Sequence, residues 1–193
     1  MNALGNRALQ DGLLQDSLLN DRLLRAREAA ARVPDPEIPS LTLEDLGILR
    51  AVELENDRVV VTIVPTYTGC PATDAIHDDV RAALNAADVA PFEVRIALTP
   101  AWSSDWITAE GRAKLLDAGI APPACLAPSR IEQAHGSVIR FMPPPRQRGQ
   151  AEPTCPRCGS AHTEQVSEYG STACKSLYRC RTCAEPFDYF KPY

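Results

Sequence analysis

The sequence lacks any apolar run approaching the roughly 20 residues that a bilayer-spanning helix needs, so a membrane protein is not expected. It also lacks the continuous apolar stretch of a secretory leader. The leading leucines (Leu13, Leu14, Leu18, Leu19, Leu23, Leu24) are interrupted by Gln15, Asp16, Asn20, Asp21 and Arg22. A cytoplasmic location is therefore the expectation. Positive charge is short: 20 Lys and Arg stand against 25 Asp and Glu, for a net charge of −5. Such a chain has no summed positive field to hold nucleic acid non-specifically, and no nucleic-acid partner is expected. A phosphate-cradling glycine loop, a nucleophile elbow and a catalytic carboxylate pair are all missing. Whether the chain is an enzyme is left open, but catalysis of its own is not expected.

Proline and cysteine are what the sequence has in quantity. There are 17 prolines, against a usual share of about 5%, and most fall in two stretches that read as boundaries. Seven cysteines in a reducing compartment point to metal ligation before disulfides.

Hydrophobic periodicity divides the chain into four parts. Residues 1–32 are a helical extension, helical from about Leu9 to Arg32 and stopped by Val33-Pro34-Asp35-Pro36-Glu37-Ile38-Pro39. Its leucines make either a docking helix or a helix packed on its own domain. Residues 33–121 read as a small α+β domain. Together with the leading helix the order is α-β-β-α-β-α. Strands at Ile48–Glu55 and Arg58–Val64 join through Asn56-Asp57, a helix spans Ala72–Ala87, a strand spans Phe92–Leu98, and a helix spans Thr108–Ala118 ahead of Gly119. Residues 122–152 are a proline-rich linker with one strand-like stretch, Ser137–Met142. Residues 153–193 form a β-rich module with strands expected at Thr163–Tyr169, Cys174–Arg179 and Phe187–Phe190.

That last module carries two C-x2-C pairs, Cys155/Cys158 and Cys180/Cys183. Each pair on a tight turn places two sulfurs on one ion, and two turns close a tetrahedral shell of thiolates. This is the pattern of a zinc ribbon. A module this short buries little apolar surface, so a structural Zn²⁺ would supply folding free energy. Rubredoxin-like iron or an Fe–S cluster uses the same ligands. A catalytic zinc does not fit, because four thiolates leave no open position. His162 is a spare donor, and Cys174 is either a buried strand residue or a spare ligand. Five cations against four anions, with a four-thiolate zinc adding negative charge, favour a protein partner over nucleic acid. The aromatics Tyr169, Tyr178, Phe187, Tyr189 and Phe190 read as stacking platforms for bases, as a small core or as a contact surface.

Cys70 precedes Pro71 at the start of the expected helix, which makes it the expected N-cap. Its sulfur would then face the positive end of the helix dipole, favouring the thiolate. The opposing reading is a small buried hydrophobe. His77 lies about two turns along the same helix, too far for a Cys–His pair. Cys70 and Cys125 alone cannot enclose a cluster that needs four ligands, but one of them can donate a ligand to a shared or transient one, including at the interface of a homodimer.

Four segments carry a resemblance: Asp35-Pro36-Glu37-Ile38-Pro39, Glu44-Asp45-Leu46-Gly47-Ile48, Thr68-Gly69-Cys70-Pro71 and Pro100-Ala101-Trp102 resemble SufT-like iron–sulfur assembly domains. With the run Gly170–Cys180 and Glu185-Pro186-Phe187-Asp188-Tyr189-Phe190-Lys191 behind them, the chain resembles the PaaD family, the D-type (or J-type) components of phenylacetate degradation. The resemblance implies an accessory role beside the multicomponent phenylacetyl-CoA epoxidase, helping to mature its iron–sulfur reductase component. It implies that Cys70 handles a transient cluster or iron, and it places Asp35 and Glu37 in an acidic motif near that chemistry. The alternative is a structural or coupling protein that joins the oxygenase and reductase components and handles no cluster.

Overall fold

The computed structural model describes residues 3–124 and 152–193, with side chains from Ser17 onward. The strand expected at Ser137–Met142 and Cys125 lie outside the described residues. The chain divides between Lys114 and Leu115 into two compact units. Its elements are α1 (Ala3–Ala31), β1 (Leu49–Glu55), β2 (Arg58–Ile63), α2 (Thr73–Ala86), β3 (Phe92–Ile96), α3 (Ala109–Asp117), β4 (Ile120–Ala121), β5 (Thr163–Ser167), β6 (Lys175–Cys180) and β7 (Pro186–Phe190). The fold is α+β, with a 3₁₀ turn at Ser104–Trp106 before α3.

In the first unit β1 and β2 form a hairpin, and β3 pairs parallel to β2 after the crossover helix α2. Asn56 and Asp57 both take positive φ, 48° and 64°. That is the backbone of a two-residue turn whose twist matches the flanking strands, and Asn and Asp tolerate it better than other side chains. Val59, Val61 and Ile63 alternate onto a buried face, and α2 contributes Ile76, Val80 and Leu84 at three- and four-residue steps. Helix α1 lies against β1, β2 and α2. Ala26 and Ala30 are fully buried, and Arg22 donates to the carbonyl oxygens of Asp57 (2.6 Å) and Pro91 (3.4 Å). The end of α1 is thus packed on its own unit, whereas Leu18 and Leu24 stay 68% and 59% exposed.

The family-like segments before β1 and after β3 lock to one another. Trp102 Nε1 donates to the Leu46 carbonyl (2.9 Å). Thr42 N–H donates to Asp45 Oδ2 (2.8 Å), Asp45 N–H donates to Thr42 Oγ1 (3.2 Å), and Lys114 Nζ reaches Asp45 Oδ2 at 2.8 Å. At Gly47 (φ +66°) a Cβ would sit 2.6 Å from the Trp106 Cβ and carbonyl oxygen, so only glycine fits. Arg50 is the extra residue where the β1–β2 register shifts, and its guanidinium lies 3.7 Å from the centre of the Trp106 ring.

The second unit is a four-stranded sheet in the order β4-β7-β6-β5. The sequence places Ile120–Ala121 at the close of the first domain, but in the structure it pairs parallel to β7 at Asp188 and Tyr189. Two residues are too few for a periodicity to reveal a strand. Tyr178 stacks on Phe187 (5.9 Å between ring centres) and meets Tyr189 edge-on (5.5 Å). Phe187 and Tyr189 are buried in one core cluster with Tyr178 packed against it, Phe190 is buried too, and Tyr169 is 64% exposed.

Candidate metal centre and thiol site

The two knuckles of the ribbon are built alike. Cys155 N–H donates to the Ser160 carbonyl and Cys180 N–H to the Glu185 carbonyl, both at 2.9 Å. The residue after each second cysteine is left-handed: Gly159 at φ 72° and Ala184 at φ 64°. These turns bring the Sγ atoms of Cys155, Cys158, Cys180 and Cys183 within 4.8 Å of one another. Cys155 Sγ lies 3.8 Å from Cys183 Sγ, and Cys158 Sγ lies 3.6 Å from Cys180 Sγ. A tetrahedron with metal–sulfur arms of about 2.3 Å has edges of about 3.8 Å, so this donor set fits one ion. It does not fit disulfides, whose sulfurs sit about 2.05 Å apart, and all four cysteines are free. The Cys183 and Thr182 backbone N–H groups point at Cys180 Sγ (3.5 and 3.4 Å). They draw its thiol down to about 6 against the cost of burial. His162 is not part of this group, and among the described residues no other cluster of three or more such ligands occurs.

Cys174 is buried just before β6, with Sγ 3.0 Å from Thr172 Oγ1, away from the four-sulfur group. The loop around it is held from β7. Ser171 Oγ donates to Asp188 Oδ2 (2.9 Å), the buried Lys175 lies 3.8 Å from the same oxygen, and a Cβ on Gly170 would sit 2.6 Å from Asp188 Oδ1. Lys191 donates to the Ala173 carbonyl (2.9 Å) and lies over Tyr169. The sequence alone assigns no role to this run. Its role is to fix the loop at the end of β6 remote from Cys180. The nearest signal is a glycine, a lysine and an aspartate, spaced too far apart to be paired by eye.

In the first unit the expected N-cap is displaced. Helix α2 begins at Thr73 with Ala72 as its cap residue and no capping side chain. Pro71 and Ala72 instead belong to a turn in which Thr73 N–H donates to the Cys70 carbonyl (3.1 Å). Cys70 sits on the turn that precedes the helix, after Gly69 at φ 90°. Its sulfur still receives the Ala72 N–H and the Thr73 side chain, but the expected thiolate bias is reversed. Burial pushes the half-buried thiol up, the Glu37 and Asp35 carboxylates push it further, and the two hydrogen bonds do not compensate. A turn 33 and 35 residues upstream in sequence thus adds to the effect of burial on Cys70.

Asp35 shapes that turn. Its Oδ1 accepts the N–H groups of Glu37 (2.9 Å) and Ile38 (2.8 Å), and its side chain is buried. The tertiary fold therefore gathers Cys70, Asp35 and Glu37 into one electrostatic neighbourhood, although they do not form a three-ligand cluster like the four cysteines. His77 faces Asp78 at 3.4 Å.

Comparison with known proteins separates the same two parts. Residues 25–98 match the family model described as "Iron-sulfur cluster assembly protein", and residues 143–191 match "PaaD zinc beta ribbon domain". Over 159 residues the chain is 45% identical to an Escherichia coli (strain K12) protein named as the D component of a "Putative 1,2-phenylacetyl-CoA epoxidase", covering 82% of this chain and 86% of that one. The chain belongs to the PaaD family. Its first part is also 34% identical over 83 residues to an "Fe-S protein maturation auxiliary factor" of Porphyromonas gingivalis (strain ATCC BAA-308 / W83), covering 42% of this chain and 78% of the relative. A solved structure, a domain of unknown function DUF59 from Bacillus anthracis, aligns at 26% identity with a TM-score of 0.45, over 50% of this chain and 92% of that one. This PaaD-family chain thus joins an iron–sulfur assembly domain to a metal-binding ribbon. No helix among the described residues is long and apolar enough to cross a membrane.

Proposed function

We propose that this PaaD-family protein is an accessory maturation factor for a phenylacetyl-CoA epoxidase, and that it assists assembly or insertion of the iron–sulfur cluster of the reductase component. One observation carries the reading. The half-buried Cys70 sits on an exposed turn under the influence of two carboxylates, inside the part that matches iron–sulfur assembly proteins. Iron is the cargo. For Cys70 to hold it, the thiol must release its proton. Two neighbouring negative charges oppose a bare thiolate but favour a thiolate neutralised by a cation. The Ala72 N–H and the Thr73 side chain remain to orient the sulfur, and Asp35 keeps the Glu37 turn in place.

The ribbon is proposed as a structural Zn²⁺ site held by Cys155, Cys158, Cys180 and Cys183. The ion's part is to tie the two knuckles together. The ribbon's exposed surface is proposed to dock the client reductase or the oxygenase components, in the cytoplasm. The boundaries 1–32, 33–121, 122–152 and 153–193 are kept as a working division, with Ile120–Ala121 contributing to the ribbon sheet.

The test replaces Cys70 with serine and measures cluster occupancy of the co-expressed reductase. A drop in occupancy with an intact ribbon supports the reading, and unchanged occupancy removes Cys70 from it. The upward push on the Cys70 thiol favours a second reading, a coupling protein in which this sulfur stays protonated and inert. That reading predicts a stoichiometric complex with the epoxidase components and wild-type behaviour of Cys70→Ser.

A further inference from the structure

The four sulfurs of the metal centre are unequally sheltered. Cys155 and Cys180 are 1% and 0% exposed. Cys183 is partly covered, and Cys158 is open to solvent. Sulfur–sulfur contacts cross the site between the knuckles, from Cys158 to Cys180 at 3.6 Å and from Cys155 to Cys183 at 3.8 Å.

We infer that the centre is a peroxide-responsive switch in which Cys158 is oxidised first and Cys180 resolves it, so that oxidation bolts one knuckle to the other and frees the ion. This rests on the reading that the four cysteines hold a metal ion. The oxidant is a hydroperoxide. The Cys158 thiolate attacks one peroxide oxygen, the O–O bond breaks, and the departing hydroxide takes a proton to become water. The sulfur is left as a sulfenic acid. The Cys180 thiolate then attacks that sulfur, the S–S bond forms, the S–O bond breaks, and a second hydroxide leaves as water with a second proton from solvent. Two thiolates are oxidised to a disulfide, and one peroxide is reduced to two waters.

The geometry assigns the roles. Closing 3.6 Å to the length of a disulfide requires a shift of about 1.5 Å. Cys158 is the side that can yield: it is exposed, its sulfur receives one backbone N–H, from Ser160, against two at Cys180, and a Cβ on the following Gly159 would meet nothing within 4 Å. Cys180 is the fixed side, gripped by the Glu185 carbonyl through its N–H and by the Thr182 and Cys183 N–H groups at its sulfur. Once that pair is consumed, Cys155 and Cys183 alone cannot complete a four-donor shell.

The experiment uses the full-length, zinc-loaded protein treated with hydrogen peroxide. Zinc release is followed with a chromogenic chelator, and the cysteines are mapped by non-reducing peptide mass spectrometry. The expected result is stoichiometric release with a Cys158–Cys180 bridge, reversed by dithiothreitol and added zinc. Cys158→His keeps a nitrogen donor but removes the oxidisable sulfur, so release should slow by about tenfold or more. A bridge within one knuckle, release without a disulfide, zinc retained throughout, or an unchanged rate in a zinc-loaded Cys158→His protein overturns the inference. Should that variant not load zinc, the bridge map of the unaltered chain decides. A protein that never loads an ion overturns the metal reading itself, and this is seen before any peroxide is added.

Discussion

The paired knuckles allow a matched test of how backbone strain enters metal affinity. Gly159 and Ala184 occupy equivalent positions, at φ 72° and 64°. An L-residue with a Cβ pays about 1–2 kcal/mol in the left-handed region. Replacing Gly159 by alanine adds that cost and no steric one, since a Cβ there would lie in open space. The less flexible unfolded chain returns about 0.4–1 kcal/mol, so Gly159→Ala should cost about 1 kcal/mol net. Ala184→Gly reverses both contributions and should stabilise the ribbon by about the same amount. Ion capture and ribbon folding are coupled, so each change should move zinc affinity by about fivefold, in opposite directions. Competition titration against a chromogenic chelator at fixed pH measures this. The double exchange should return close to the starting affinity. The reasoning fails if Ala184→Gly weakens zinc binding, or if Gly159→Ala leaves it unchanged.

Three further outcomes are expected. Chelating the ion should abolish the far-ultraviolet signal of the β5–β7 sheet but leave the fluorescence of Trp102 and Trp106, both in the first unit, at its native wavelength. A β5–β7 signal retained after chelation would contradict the ribbon's dependence on its ion. Burial alone would raise the Asp45 carboxyl, but the hydrogen bonds from Lys114 and Thr42 outweigh it and hold it below the usual aspartate range. A depressed native pKa stabilises above the unfolded value and is lost as pH falls through the native one. Acid titration of unfolding should therefore show a loss below the ordinary aspartate range that Asp45→Asn flattens. Removing the negative charge of Glu37 should ease ionisation of Cys70, so Glu37→Gln should raise its alkylation rate by iodoacetamide at neutral pH severalfold. An unchanged rate would mean that burial alone sets the reactivity of that thiol.

Local interactions make much of this molecule legible in one dimension. The β1–β2 hairpin follows from two β-branched runs across Asn56-Asp57, because turn conformation and strand alternation are both local properties. Each sulfur pair follows from C-x2-C spacing, because a tight turn fixes where two sulfurs point, whereas the meeting of the two pairs depends on the fold of the sheet between them. The start of α2 is not legible in the same way. Proline at a first helical position and proline inside a preceding turn look identical in sequence, and here a short turn intervenes.

The sequence by itself determined the order of α1 to α3 and of β5 to β7 and the two C-x2-C turns, all of which rest on patterns among residues a few positions apart. Only the tertiary structure decided that Ile120–Ala121 joins the ribbon sheet, that Asp188 clamps the loop before Cys174, and that burial, aided by Glu37 and Asp35, raises the Cys70 thiol and does not leave it to the helix dipole. The physical reason is range. Burial and Coulomb interaction act through space, so the ionisation of a sulfur depends on groups more than thirty residues away that only folding brings near.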